Sequence, residues 1–307
     1  MKAYPPDTAR RALKLWPVEA QAPRTLERVA TSGNDVWRFD HAGQPYILRL
    51  TDAAWRSPAM NRAECAFLEH AAAQGALVHR PVPARSGAVV EILDDASASV
   101  FTWAGGDLVA SDDPRRGEAF FREWGRALAT LHAAAETYDG PPRWEWRDEG
   151  LLAESDRLLP AADLAVRAQR DELYARLAAL PVTRANYGLI HADFAPQNFR
   201  YDRAGRITSF DFGNLCRHWF VCDLTISFST LRRERARDAM RAWILAGYES
   251  MRALDPASWA ERDTFLRLRG LYVYLSRLAW FGPVPSAAQR ETLAALRALV
   301  LERVSWP

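Results

Sequence analysis

The stretch from Leu189 to Leu224, LIHADFAPQNFRYDRAGRITSFDFGNLCRHWFVCDL, constrains this chain more than any other. Apolar Leu189-Ile190 leads into His191, Asp193 and Asn198. A short hairpin follows, with Phe199 to Tyr201 as one arm, Asp202 to Gly205 as the turn and Arg206 to Phe210 as the other. The second arm delivers Asp211-Phe212-Gly213. Such a turn brings its ends together, so Asp193, Asn198 and Asp211 are expected in one place. Two oxygen ligands and one free carboxylate are what phosphoryl transfer needs. Mg²⁺ takes hard oxygen donors and keeps several waters, and the remaining Asp can accept the proton of an attacking hydroxyl.

His-x-Asp and Asp-Phe-Gly each occur often as plain turns. Their order, with a hairpin between them, is the specific feature. HADFAPQN resembles the catalytic loop of the aminoglycoside phosphotransferase and choline kinase superfamily, in which Asn follows the loop Asp by five residues. SFDFG resembles that superfamily's metal-binding segment. These are small-molecule relatives of protein kinases. The resemblance implies that Asp193 is the catalytic base, that Asn198 and Asp211 hold the metal, and that His191 braces the loop. Ala192 stands where a protein kinase has Arg, which fits the small-molecule branch better. Asp223, in WFVCDL, matches an Asp that helps to hold the catalytic loop, a structural role.

A kinase-like site also needs a cation on the third strand for the nucleotide phosphates, paired with a Glu on the following helix. The only lysines are Lys2 and Lys14, so this cation is not Lys. The residue in place is Arg49, in YILRL, which strand alternation puts on the face opposite Leu48 and Leu50. Glu64 is positioned to pair with it. Arginine binds phosphate well and stays charged. Branches of the same superfamily carry Leu-Arg there. A degenerate pseudokinase is the competing reading of Arg49, and the presence of Asp193, Asn198 and Asp211 argues against it.

The rest of the chain is read around these anchors. Asp7 is expected to cap a short helix ended by Pro17, and Gln21 to Pro23 reads as a linker. Strands are expected over Thr25 to Ala30, Val36 to Phe39 and Tyr46 to Leu50, the first turn containing Gly33 and Asn34. Backbone N–H groups in that turn can approach phosphate. Ser57-Pro58 starts a helix running to about Gly75, and Pro81 and Pro83 end the connection after it. Val89 to Leu93 and Ser99 to Trp103 read as two more strands. Ala104-Gly105-Gly106 then reads as a hinge, where a kinase offers backbone groups of residues such as Phe101, Thr102 and Trp103 to adenine.

Beyond the hinge the periodicity is helical. Asp113-Pro114 starts a helix carrying Phe120, Trp124, Leu128 and Leu131, and His132 reads as a core or capping histidine. Glu145 to Asp156 is acidic; it reads as a solvated face that can also contribute to an acceptor site. Further helices are expected at Asp163 to Leu180, Arg232 to Met251, Trp259 to Trp280 and Ser286 to Val304. The helices after Leu224 carry more arginine than acid.

The expected architecture is α+β and two-lobed, like a protein kinase. Residues 1–103 form a nucleotide-binding lobe with a five-stranded antiparallel sheet and one helix. Residues 104–307 form a mostly helical catalytic and acceptor lobe, with the hinge at about 101–107. The implied activity is ATP- and Mg²⁺-dependent transfer of a γ-phosphoryl group to a small-molecule hydroxyl. A Ser/Thr protein kinase or a nucleotide-binding regulator stays open. The net charge of +2 is too small to argue for nucleic acid or an anionic membrane as a partner. Cys65, Cys216 and Cys222 show no metal spacing and are expected to be free thiols. Met1 to Arg11 lacks the apolar core of a signal peptide, so a cytoplasmic enzyme is expected.

Overall fold

The computed structural model describes residues 2–18, 26–31 and 33–302. The expected Gln21–Pro23 linker, Thr25, Ser32 and Val304 lie outside these residues. The first part of the chain contains α1 (Pro6–Leu13), β1 (Glu27–Ala30), β2 (Asp35–His41), β3 (Gln44–Asp52), α2 (Pro58–Ala73), β4 (Pro81–Val82), β5 (Glu91–Leu93) and β6 (Ala96–Thr102). The strands form one antiparallel sheet in the order β1-β2-β3-β6-β4, with β5 also on β6. It has one strand more than expected, because Pro81-Val82 pairs with Phe101 and Val100 on an edge, where a missing N–H is tolerated.

Two of the expected helix starts are corrected. The first helix begins at Pro6 with Pro5 at the cap, so Asp7 lies in the first turn and pairs with Arg10. A carboxylate there still meets the positive end of the helix. By contrast, Ser57 caps α2 as expected, accepting from the Met60 N–H.

The second part contains α3 (Glu118–Glu136), α4 (Gly150–Ala153), α5 (Ser155–Leu158), α6 (Leu164–Ala178), β7 (Tyr187–Ile190), β8 (Phe199–Tyr201), β9 (Ile207–Ser209), β10 (Cys216–Trp219), α7 (Val221–Thr230), α8 (Arg237–Glu249), α9 (Pro256–Ala260), α10 (Arg262–Phe281) and α11 (Ala287–Leu301). Asp113 does not start α3. Its carboxylate folds back on the Arg115 backbone and side chain, and the helix begins after Gly117. The α7 helix goes beyond the expected elements; apart from Asp223 its residues are apolar or hydroxyl-bearing, and Val221 to Phe228 are all buried, so it shows no stripe.

Packing decides how the parts meet. One core cluster joins α1 to the sheet through Leu13, Phe39, Leu48 and Val100, with Trp16 from the turn after the helix. A larger one takes in the inner face of α2, with Cys65 and Leu68, and the whole helical part. His79 stacks between Phe101 and Phe212, at ring-centroid distances of 4.4 and 6.0 Å, so sheet and helices share one interior. The β8–β9 hairpin is held on both sides. Ser209 exchanges backbone hydrogen bonds with the 77–79 segment, and Tyr201 with Asp107. Gly106, at φ +96°, makes the second contact possible, since a Cβ there would lie 2.6 Å from the Tyr201 carbonyl.

Candidate functional site

Strand β7 pairs antiparallel with β10 and ends at Ile190 opposite Cys216. The chain then turns sharply, with Ala192 in the left-handed region at φ 63°. Asp223 makes this turn possible. Fully buried in the first turn of α7, it accepts the N–H groups of His191 and Ala192, each at 2.8 Å, one on each carboxylate oxygen. His132 Nε2 lies 3.2 Å from the same carboxylate, and its Nδ1 lies 2.8 Å from the Tyr248 hydroxyl. Arg252 donates to that hydroxyl, so the Tyr248 proton points to Nδ1 and His132 donates through Nε2. Burial holds the His132 pKa below the ordinary value and keeps the ring neutral, despite Asp223 beside it. His191 Nε2 bonds the Phe210 carbonyl at 3.0 Å, tying the loop to the far arm of the hairpin.

The hairpin closes as its sequence requires. The Phe210 N–H donates to the Asn198 carbonyl at 2.9 Å, which sets Asp211 beside Asn198. Asn198 Nδ2 donates to the Asp193 carbonyl and carboxylate, both at 2.9 Å. Its Oδ1 is thereby the atom left for another partner. Asp211 sits in the left-handed region at φ 61°. The residue is exposed, yet desolvation by the surrounding protein pushes its carboxyl up, with Arg49 pulling the other way.

Arg49 and Glu64 form a two-pronged ion pair at 2.7 and 2.9 Å, with both side chains buried. Burial alone would raise Glu64; Arg49 outweighs it and brings the carboxyl down to about 2. Arg49 also lies 4.8 Å from the Phe101 ring centre. Gly33 and Asn34 border a cleft of about 320 Å³ with Asp52 and Trp55. The Asn34 side chain turns inward to Thr51, which leaves the backbone of this turn as the part that can face a ligand. Phe101 and Thr102 end β6, and the Thr102 hydroxyl accepts from the Arg80 N–H. The Trp103 ring has two guanidinium groups against it, those of Arg38 and Arg200, at 5.1 and 4.1 Å from its centre.

Three arginines enter the site from outside the expected motifs. Arg269 on α10 donates to Asp193 Oδ1 at 2.7 Å. Arg143 donates to the carbonyls of Gly213, Leu215 and Met60, clamping the segment after Asp211 to the start of α2. Arg56 is buried, with Nε and Nη1 making no hydrogen bond and the guanidinium 5.8 Å from the Trp144 ring centre. A Cβ on Gly213 would lie 3.1 Å from Arg56 Nη1 and 3.3 Å from Asp211 Oδ1, so these two side chains converge over that glycine. No spacing rule singles out Arg56 or Arg143. The arginine excess after Leu224 was the one available signal for Arg269.

The acidic run does not form an open carboxylate cluster. Glu145, Glu154 and Asp156 are each paired with arginine, to Arg217, Arg157 and Arg170 respectively. Glu149 turns inward, 3.4 Å from the Tyr272 hydroxyl, and burial raises its pKa.

The family model described as "Phosphotransferase enzyme family" matches residues 25–261, which span both the sheet and the hairpin site. The chain belongs to the phosphotransferase enzyme family. The amicoumacin kinase of Bacillus subtilis (strain 168) is 31% identical to this chain over 264 residues, covering 80% of this chain and 77% of the relative. A homoserine kinase of Gluconobacter oxydans (strain 621H) is 28% identical over 247 residues, 76% of each chain. The solved structure of an amicoumacin kinase with AMP-PNP, Ca²⁺ and Ami superposes with a TM-score of 0.89 at 25% identity, covering 97% of this chain and 93% of the other. The fold is therefore the kinase-like fold of this phosphotransferase family, and the chain is a phosphotransferase acting on a small-molecule hydroxyl. Among the described residues, no helix is long and apolar enough to cross a membrane.

Proposed function

We propose that this phosphotransferase uses ATP with Mg²⁺ and that Asp193 is its general base. The observation that carries this reading is the closure of the hairpin, which gathers the Asp193 carboxylate, the Asn198 amide and, one residue past its backbone bond, Asp211. An amide oxygen and a carboxylate are hard donors suited to a divalent ion that also takes phosphate oxygens and water. Asn198 Oδ1 and Asp211 would hold that ion, which when bound offsets charge on the phosphates. Arg49, oriented by Glu64, would hold phosphate oxygens, and the backbone of the turn at Gly33-Asn34 would cover them. The adenine would lie at the end of β6, by Phe101, Thr102 and Trp103, with Trp103 offering its backbone because Phe101 is paired within the sheet and the Thr102 N–H is given to the Arg80 carbonyl.

In this reading the acceptor hydroxyl lies against the Asp193 carboxylate. Its oxygen attacks the γ-phosphorus, the bond to the β–γ bridging oxygen breaks, ADP leaves and the hydroxyl proton passes to Asp193. The residues contribute position and charge, since the transition state is loose. Acceptors related to those named for the relatives, an amicoumacin-type antibiotic and homoserine, are the first to assay. Buried free thiols at Cys65, Cys216 and Cys222 suit a reducing cytoplasm.

Asp193→Asn tests the assignment. Loss of a general base costs roughly 10²–10⁴ in rate. The variant should therefore lose nearly all acceptor-dependent ADP release and keep nucleotide affinity within a few-fold. A near-normal kcat would remove Asp193 from the mechanism.

A further inference from the structure

A groove of about 690 Å³ runs between α7, α8, α10 and α11. Its lining includes Arg232, Arg233, Arg237, Arg241, Arg267 and Arg269, and no Asp or Glu. Arg269 connects it directly to Asp193. Among the described residues, Arg232 and Arg233 are exposed and neither is within ion-pair distance of a carboxylate. Arg267 gives the second observation. It is 8% exposed, it reaches Glu172 only at 3.6 Å through Nη1, and its Nε and Nη2 have no partner. A buried guanidinium with unused donors is costly to maintain unless something accepts from it. The rest of the lining includes the apolar side chains Leu266 and Val273 of α10 and Leu296 and Leu299 of α11.

We propose that this groove is the acceptor site and that it selects hydroxyl compounds carrying a carboxylate or phosphate group on an apolar body. The proposal rests on the phosphoryl-transfer reading of Asp193, which fixes where the hydroxyl sits. Planar guanidinium groups bind carboxylate and phosphate through paired N–H donors. A lining of one sign raises the local concentration of anions and repels ammonium groups. The acidic run, the chain's alternative source of a cation site, has three of its carboxylates already paired with arginine.

The test uses one scaffold with four charges: benzyl alcohol, 4-(hydroxymethyl)benzoate, 4-(hydroxymethyl)benzylphosphonate and 4-(hydroxymethyl)benzylamine. Acceptor-dependent ADP release gives kcat/KM for each, and calorimetry gives binding without turnover. At least one anion should exceed the alcohol by tenfold or more, with the amine lowest; which anion leads identifies carboxylate or phosphate as the recognised group. Arg233→Ser and Arg267→Gln should shrink the anion-to-alcohol ratio several-fold. Arg203→Ser, an equal charge change on the exposed hairpin turn, should leave the ratio alone. Anion binding without any phosphoryl transfer would keep the groove assignment and sink the Asp193 reading. Binding and turnover of the amine or alcohol equal to or above both anions would overturn the proposal.

Discussion

At the scale of single residues, Arg49 and Glu64 carry the sharpest expectation. Their pair is buried and two-pronged, so each side chain is needed to keep the other's charge tolerable. Arg49→Ala should raise the KM for ATP and lower kcat together. Arg49→Lys keeps the charge and loses the fork, and steady-state kinetics should place it between Ala and the parent. The same pair sets a pH limit. Glu64 is held at about 2 in the folded chain, against an ordinary value of 4.5. A depressed carboxyl stabilises the fold above its unfolded pKa and loses that contribution as pH falls through the folded one. The window is therefore pH 4.5 down to 2, with about 3 kcal/mol at stake. Denaturant melts across that window should show Glu64→Gln less sensitive to acid than the parent. A parent and variant with parallel acid profiles would contradict the pairing.

At the scale of elements, α3 and α8 pack backbone against backbone at two glycines. A Cβ at Gly125 would lie 1.9 Å from the Ile244 carbonyl, and one at Gly247 2.0 Å from the Arg122 carbonyl. Both obstacles are backbone, so neither can swing aside. Gly247→Ala gains about 1 kcal/mol in helix propensity. It must also force the helices apart, and overpacking of this kind costs about 1–3 kcal/mol. The net expectation is a lower melting temperature, with the Tyr248–His132–Asp223 chain loosened behind it. Thermal unfolding followed by circular dichroism checks this; an unchanged or raised melting temperature would mean that the helices separate freely.

At the scale of the whole molecule, nucleotide would contact both the sheet, through Arg49, and the hairpin, through Asn198 and Asp211. Binding should then require a divalent cation and should stabilise the entire chain in one transition. Calorimetry with ATP in Mg²⁺ and in EDTA separates the cases. Asp211→Ala should weaken Mg²⁺-dependent binding more than Asn198→Ala, since a carboxylate compensates more charge than an amide oxygen. Equal affinity with and without metal would contradict both assignments.

The sequence by itself determined the hairpin, its turn and the residues at its two ends, because those are local: strand periodicity and a glycine turn bring Asn198 and Asp211 together within a dozen residues. It also determined the pairing partner of Arg49, since a strand face and a capped helix leave few choices for a buried cation. Pattern failed where no local signal exists. Asp113-Pro114 looks like a helix start, yet Arg115, two residues on, captures the carboxylate first. The α7 helix is buried all round, so it carries no stripe to read. Asp223 was legible as a residue that holds the loop, and the structure supplies the means, its two carboxylate oxygens on the His191 and Ala192 N–H groups. Tertiary structure alone decided that Arg143 would clamp α2 to the Asp211 segment and that Arg269 would reach Asp193 from α10. Each of these joins residues far apart in the chain, where the geometry of the packed core, and no spacing in the sequence, sets which charged groups meet.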